Sequence, residues 1–312
     1  MKKKIFIDGK AGTTGLRIEE RLQNRDDVEI ISLPDELRKD PEARSEMLNS
    51  ADIVFLCLPD GAAREAVGMI NTPDTVVIDA STAHRTLDDW AYGLPELGEE
   101  FEEKIRGSKR IAVPGCHASG FITLIYPLVK HGYLAKDALL TVHSITGYSG
   151  GGKTMIADYE AEERSSLLDA PRQYGIAQCH KHLPEMVKIT GLDTAPIFCP
   201  IVSDFYSGME VTVPLFKSQL AKGDIKDIRE LYSQIYISDT VRYVEGGDEG
   251  GFLSASALSG KDVMQIEVHG NEERILLVAR YDNLGKGASG AAVECLNIAL
   301  GCEKTKNLEV LS

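Results

Sequence analysis

Four short runs, KKIFID, VEIISL, DIVFLCLP and TVVIDA, recur through the first 115 residues, and helix-patterned segments separate them. The runs are apolar at nearly every position rather than at alternate ones, so the strands they form are buried on both faces. A parallel sheet covered by helices on each side buries strands in that way. The segment GLRIEERLQNR, with Leu16, Ile18 and Leu22 spaced among charges, is the first of the covering helices. These alternations predict a doubly wound, Rossmann-like parallel sheet for the N-terminal part of an α/β protein.

Beyond Cys116 the texture changes. GFITLIYPLVKHG reads as an apolar helix in which Pro127 marks a kink or an early end. ALLTVHSITG, APIFCPIVSDF, MEVTVPLF, DVMQIEVHG and RILLVARYDN then follow as strands, several of them alternating, with few helices between. That order predicts an α+β second domain on a mostly antiparallel sheet. A small-residue helix, GKGASGAAVECLNIALG, closes the pattern.

Composition removes several classes of function. Against 34 basic residues stand 48 acidic ones, and the net charge of −14 disfavours nucleic acid and anionic membranes as partners. No apolar run approaches the roughly 18 residues of a membrane span. The N-terminal lysines precede only IFI before Asp8, which is too short for a secretory signal. Six cysteines at irregular spacing, with no CxxC, predict a reduced, cytoplasmic protein without disulfides or a metal centre.

The loop GKAGTTG lies directly between the first strand and the first helix. Gly9, Gly12, Thr13, Thr14 and Gly15 are therefore candidates to cradle a dinucleotide pyrophosphate at a helix N-terminus, although G-x-x-G-x-x-G departs from the usual spacing. An acid at the end of the second strand would favour NAD. Here the strand ends at Ser32 and Leu33, with Arg38 and Lys39 following, which favours the 2′-phosphate of NADP. Asp35 and Glu36 keep NAD open, and Arg38 also suits a solvated helix surface. Ser81, in the turn after TVVIDA, is a further cofactor-side candidate.

The stretch VPGCHASG places Cys116 after a Pro-Gly turn and at the start of the apolar helix. The positive end of a helix dipole favours a thiolate, so Cys116 is the expected nucleophile, and the other five cysteines are expected to be buried structural ones. A proton donor is offered by QCHKHLPEM, with His180, His182 and Glu185. In an extended segment His180 and His182 share a side, and Pro184 favours that conformation at Leu183. His117 and His143 are alternative bases, more naturally local hydrogen-bond partners. For a phosphate, GYSGGGK supplies Ser149 and Lys153, and DASTAHR supplies Arg85; a flexible turn with a solvated lysine is the competing reading of the former.

In order along the chain, GKAGTTGLRIEE, LCLPDGAAREAV, VIDASTAHR, YGLPEL, VPGCHASG, HKHLPE and DNLGKGASGAAVECLN closely resemble the shorter subfamily of the N-acetyl-γ-glutamyl-phosphate reductases. The resemblance spans nearly the whole sequence. VPGC followed about sixty residues later by HxHxPE is its specific part, whereas glycine loops of this kind serve many dinucleotide enzymes. It implies NADPH-dependent reduction of N-acetyl-γ-glutamyl phosphate to the semialdehyde, in arginine biosynthesis. It also implies the glyceraldehyde-3-phosphate dehydrogenase-like fold shared with aspartate-semialdehyde dehydrogenase. The expected domains are a nucleotide-binding domain over 1–116 completed by the C-terminal helix within 285–312, and a catalytic and oligomerisation domain over 117–284. The implied nucleophile falls on Cys116 and the catalytic histidine on the HKH segment, with a homodimer or tetramer expected. The longer subfamily differs around DASTAHR and SGGGK, so its phosphate contacts do not transfer, and Lys153 and Arg85 stand on chemistry alone. Two rivals remain: reduction of another acyl phosphate such as β-aspartyl phosphate, and a non-catalytic NADP-binding redox regulator.

Overall fold

Each of the four N-terminal runs forms a strand: β1 (Lys3–Asp8), β2 (Val28–Ile31), β3 (Ile53–Leu56) and β4 (Val76–Asp79). The computed structural model describes residues 2–311, and its chain divides into two units. Unit 1 comprises Met1–Gly115 and Ala288–Leu308; unit 2 comprises Cys116–Gly287 and Glu309–Ser312.

In unit 1 the sheet is wholly parallel, in the order β2-β1-β3-β4-β6-β5, with two short strands, β5 (Ala91–Tyr92) and β6 (Arg110–Ala112), that the apolar runs do not announce. Residues of β3 are buried on both faces, as its unbroken IVFL requires. Ile5, Ile7 and Phe55 face one layer, where α1 (Thr13–Leu22), α4 (Glu99–Gly107) and α9 (Gly290–Ala299) contribute Ile18, Ile105, Val293 and Leu296. Phe6, Val54 and Leu56 face the other, against α2 (Pro41–Ser50) and α3 (Asp60–Met69), which supply Leu48, Ala63 and Ala66. Burying each large aliphatic side chain stabilises the fold by about 1.5–3 kcal/mol. The buried Arg25 ties α9 to this sheet, donating to Asn297 Oδ1 at 2.5 Å while pairing with Asp27 at 2.7 Å.

Unit 2 begins with α5 (Cys116–Lys130). It continues through β7 (Thr141–Gly147), α6 (Gly152–Glu160), β8 (Arg172–Gln173), α7 (Leu183–Thr190), β9 (Ile197–Ser203), β10 (Met209–Phe216), α8 (Ile225–Ile235), β11 (Val241–Tyr243), β12 (Met264–Gly270) and β13 (Arg274–Tyr281). The seven strands run in the order β11-β12-β13-β10-β7-β9-β8. Four of the pairings are antiparallel and two, β7 with β9 and β11 with β12, are parallel. Met209, Val211, Val213 and Leu215 alternate inward along β10, so one face of the sheet is packed.

Pro127 does not end α5, which runs on to Lys130. A proline inside a helix leaves the carbonyl four residues earlier without its amide donor. Here that carbonyl belongs to Thr123, and the buried Tyr236 hydroxyl donates to it at 2.5 Å. Tyr232 donates likewise to Leu124 O. The tertiary partner replaces the missing donor, and the helix continues.

Candidate active site

The glycine loop and its neighbours lie in unit 1. Gly9 leaves β1 with φ +86°, a conformation open to glycine, and a Cβ there would stand 2.3 Å from Cys57 O. Gly12 caps α1 and donates its amide to Gly9 O at 3.0 Å, and a Cβ on Gly15 would meet Lys10 Cα at 2.7 Å. This tight turn delivers Thr13 and Thr14 into the first turn of α1. Thr13 Oγ1 is buried and has no hydrogen-bond partner among the described residues. An orphaned hydroxyl beside a glycine turn at a helix N-terminus fits a dinucleotide pyrophosphate.

A cavity of 560 Å³ opens beside the turn, lined by Asp8, Gly9, Ser32, Glu36, Arg38, Lys39 and Arg44, among others. Arg44 is a residue that the sequence reading missed. It sits on α2, buried, and pairs with Asp8 Oδ2 at 2.8 Å. Ser81 takes no part in that lining. Its hydroxyl donates to Asp79 Oδ2 at 2.7 Å, and His84 Nδ1 contacts the same oxygen at 2.6 Å while stacking on Trp90 at 4.1 Å. Cys57, at the end of β3, has its thiol pushed up to about 12 by burial, then by Asp79 and Asp8. It is a structural cysteine held protonated.

Cys116 and the HKH segment lie in unit 2. α5 starts at Cys116, which is partly exposed. The neighbouring His117 is buried, with Nδ1 2.6 Å from Ser144 Oγ on β7 and Nε2 2.5 Å from Tyr174 OH just after β8. Burial, then the nearby His180, lowers its pKa to about 3. His117 is therefore neutral at physiological pH. Tyr174 is pushed far above its ordinary value by burial, then by Cys116.

His180 and His182 lie with their ring centroids 4.7 Å apart and at 5.8 and 5.7 Å from His117, with Phe198 of β9 packed on His180 at 5.1 Å. The pair is not presented on an extended strand, as the sequence suggested. His182 is the N-cap of α7 with φ −84° and ψ −14°, and Leu183 is helical. Pro184 sits in the first turn, where its missing N–H costs nothing, so it starts the helix rather than extending the chain. The His182 amide donates to His180 Nδ1 at 3.2 Å. Neutral His180 thus carries its proton on Nε2. Burial, then Lys181, lowers its pKa.

Glu185 is buried in the first turn of α7. Ser149 is buried and accepts from Asn283 Nδ2 at 3.0 Å, in a short 3₁₀ turn that leads into α6. The loop is thereby structured, and Lys153 stands exposed at the start of α6. Arg85, in unit 1, is buried, and it donates through Nε to Val113 O at 2.8 Å and through Nη2 to Ala80 O at 3.0 Å. Those bonds tie it to the backbone ahead of Cys116. His143 is exposed, on the face of β7 opposite Ser144, which removes it as an alternative base. Cys179 is exposed too, contrary to the expectation of a buried structural cysteine. Among the described residues no cluster of His, Cys, Asp or Glu could hold a metal ion, and no helix is long and apolar enough to cross a membrane.

A doubly wound parallel sheet with a glycine turn and a cysteine at a helix start, followed by a buried histidine, are the parts of a thiol-dependent oxidoreductase. Comparison with known proteins gives the same class. Residues 13–105 match the semialdehyde dehydrogenase NAD binding domain, and residues 116–283 match the semialdehyde dehydrogenase dimerisation domain. Among solved structures, aspartate semialdehyde dehydrogenase II of Vibrio cholerae, complexed with ASA, shares the fold with a TM-score of 0.73 at 17% identity, over 96% of this chain and 99% of its own. The Candida albicans aspartate semialdehyde dehydrogenase with NADP gives 0.65 at 14% identity, over 96% and 98%. N-acetyl-gamma-glutamyl-phosphate reductase 2 of Nostoc sp. is 43% identical over 96% of this chain and 97% of its own. The Sinorhizobium medicae N-acetyl-gamma-glutamyl-phosphate reductase is 44% identical over 96% and 99%. The chain belongs to the semialdehyde dehydrogenase family, within its N-acetyl-γ-glutamyl-phosphate reductases.

Proposed function

We propose that this protein reduces N-acetyl-γ-glutamyl phosphate to N-acetylglutamate semialdehyde with release of phosphate, using NADPH, in arginine biosynthesis. The observation that carries the reading is Cys116 at the first residue of α5, followed by His117 with the His180–His182 pair packed on it. The helix dipole and first-turn amides favour a thiolate at this position and an oxyanion on the carbon it attacks. Cys116 Sγ displaces phosphate from the acyl carbon, and phosphate leaves with the bonding electron pair, giving a thioester. When bound, the dinucleotide supplies the hydride that the reduction requires. The Nε2–H of neutral His180 hydrogen-bonds the oxyanion formed when the thioester is reduced, and as that oxyanion re-forms a carbonyl the Cys116 thiolate is expelled, with no net proton transfer. His182 and Glu185, from the same turn, fit substrate positioning.

The residues Gly9, Gly12, Thr13, Thr14 and Gly15 would hold the pyrophosphate, and Ser32, Arg38 and Lys39 the 2′-phosphate. Ser32, Arg38 and Lys39 line the cavity, which suits the 2′-phosphate of NADP, while Glu36 in the same lining is the acid that would suit NAD. Ser149 and Lys153 remain candidates for the substrate phosphate. We assign unit 1, Met1–Gly115 with Ala288–Leu308, to the nucleotide, and unit 2, which begins at Cys116 and runs to Gly287, to catalysis and self-association, boundaries that move Cys116 and residues 285–287 and 309–312 out of the nucleotide domain that the sequence predicts. A homo-oligomer is supported by the open face of the seven-stranded sheet, where Phe216 and Ile197 are 62% and 60% exposed. Sedimentation of wild type and Phe216→Glu tests the oligomer.

The test of function is phosphate- or arsenate-dependent oxidation of N-acetylglutamate semialdehyde by wild type and Cys116→Ser. Wild-type turnover that is lost in the variant, with dinucleotide binding kept, supports the assignment. Equal turnover in both removes Cys116 as nucleophile. Turnover only with aspartate semialdehyde moves the substrate to β-aspartyl phosphate.

A further inference from the structure

The HKH histidines stand on a stretch without helix or strand, between β8, which ends at Gln173, and α7, which starts at Leu183. Its far end is anchored, since His182 and Glu185 are buried at the start of α7. Its middle is not. Ile176, Ala177, Gln178 and Cys179 are all exposed, so burial does little to fix the path that delivers His180. Among the described residues, two hydrogen bonds leave residues 175–179, and one side chain makes both. The Gln178 amide donates through Nε2 to Phe198 O at 2.7 Å and accepts from Phe198 N–H through Oε1 at 2.9 Å.

Those bonds complete the edge of a sheet. β8 pairs with β9 at Val202 and Ile201, and Pro200 O beyond them accepts from the Tyr174 amide. Phe198, two residues further back along β9, turns its amide and carbonyl to the same side, past the end of β8. There the Gln178 side chain pairs both groups as the backbone of a strand would. To do so Gln178 holds φ +56°, a left-handed conformation that glycine or asparagine takes more readily. A turn that had only to reverse the chain would be better served by either residue. A strained residue with a long amide makes sense where the reach of that amide matters. The ring of Phe198 packs on His180 at 5.1 Å, so the residue that Gln178 grips is the one against which His180 rests.

We infer that Gln178 is a positioning residue for His180: its two hydrogen bonds to Phe198 hold the His180 ring against Phe198, so that Nε2–H is presented to the oxyanion. The inference rests on His180 serving that oxyanion. The His182 amide holds the other ring nitrogen, but that bond lies within the HKH segment and does not tie the ring to the sheet. A loosened donor costs rate rather than substrate affinity, because the oxyanion exists only along the reaction path.

The test compares full-length wild type, Gln178→Gly, Gln178→Asn, His180→Ala and the double variant Gln178→Gly/His180→Ala. Turnover is read by arsenate-dependent oxidation of N-acetylglutamate semialdehyde, and the His180 ring is titrated by NMR. Glycine relieves the backbone, and asparagine suits the conformation while falling one methylene short of Phe198. Both variants should fold, and a turn with no positioning role would leave both at wild-type kcat, which overturns the inference. The expected result for each is kcat lowered roughly tenfold with KM changed less than about twofold, because His182 and Glu185 stay anchored at α7. The His180 midpoint, held down by burial and then by Lys181, should move up toward its ordinary value as the ring leaves Phe198. In His180→Ala, itself slowed roughly 100-fold or more, adding Gln178→Gly should cost no further rate. A further tenfold loss there would show that Gln178 acts elsewhere and overturns the inference. Wild-type kcat in His180→Ala refutes the oxyanion role of His180, whereas an unmoved NMR midpoint in Gln178→Gly refutes the placement of its ring by Gln178.

Discussion

The state of His117 gives a stability signature that isolates it from the other histidines. Its folded pKa of about 3 lies below the ordinary 6.5, because the ring is buried between Ser144 and Tyr174. Above pH 6.5 the ring is neutral both folded and unfolded, and it adds no pH dependence. Below that, the unfolded chain takes up a proton that the folded chain refuses, so stability is present at neutral pH and is lost as pH falls from 6.5 toward 3. At about pH 5 the loss amounts to about 1.5 pKa units, or about 2 kcal/mol. The perturbation is His117→Gln, whose amide still reaches for hydrogen bonds but does not titrate. Its fixed cost cancels when each protein is compared with itself at two pH values, and so does the contribution of His180. Urea unfolding at about pH 7.5 and about pH 5 should show wild type losing about 2 kcal/mol more than the variant. Equal losses would mean that His117 titrates near its ordinary value, which would restore it as a rival general base and refute the reasoning from burial.

Arg38→Ala should weaken NADP binding about tenfold or more and change NAD binding by less than about twofold, since a charge-assisted hydrogen bond to a phosphate is worth about 1.5–3 kcal/mol; calorimetric titration with both dinucleotides reads this. Arg44→Met leaves the Asp8 carboxylate buried without its 2.8 Å partner and should cost about 3–5 kcal/mol in urea unfolding. Gly9→Ala combines φ +86° with a Cβ 2.3 Å from Cys57 O, and a dinucleotide titration should show binding abolished. Tyr236→Phe removes the donor that serves Thr123 O beside Pro127, at an expected cost of about 1–3 kcal/mol of stability.

What the sequence disclosed follows from where the physical constraint is local. The sheet of unit 1 was legible because a strand buried on both faces writes that burial into every residue, as IVFL does in β3. Cys116 was legible because a Pro-Gly turn and an apolar run mark a helix start within a few residues. The sequence points to His117 as a hydrogen-bond partner but does not identify its partners, since Ser144 and Tyr174 lie 27 and 57 residues away and no local pattern links them. Arg44 hides for a different reason. PEARSEMLNS has the composition of a surface helix, and only the carboxylate of Asp8, 36 residues away, draws that arginine inward. At the HKH segment a local rule has two outcomes. A proline disfavours helix for the residue before it within a helix, but it is welcome in the first turn, and His182 at the N-cap leaves Pro184 there. Tyr281 stands between these cases. Its place in RILLVARY, on the same side as Ile275, Leu277 and Ala279, says that the ring is buried, and a buried phenol must find a hydrogen-bond partner. That the partner is the carbonyl of Cys116 depends on a contact 165 residues long, which the strand pattern demands but does not locate.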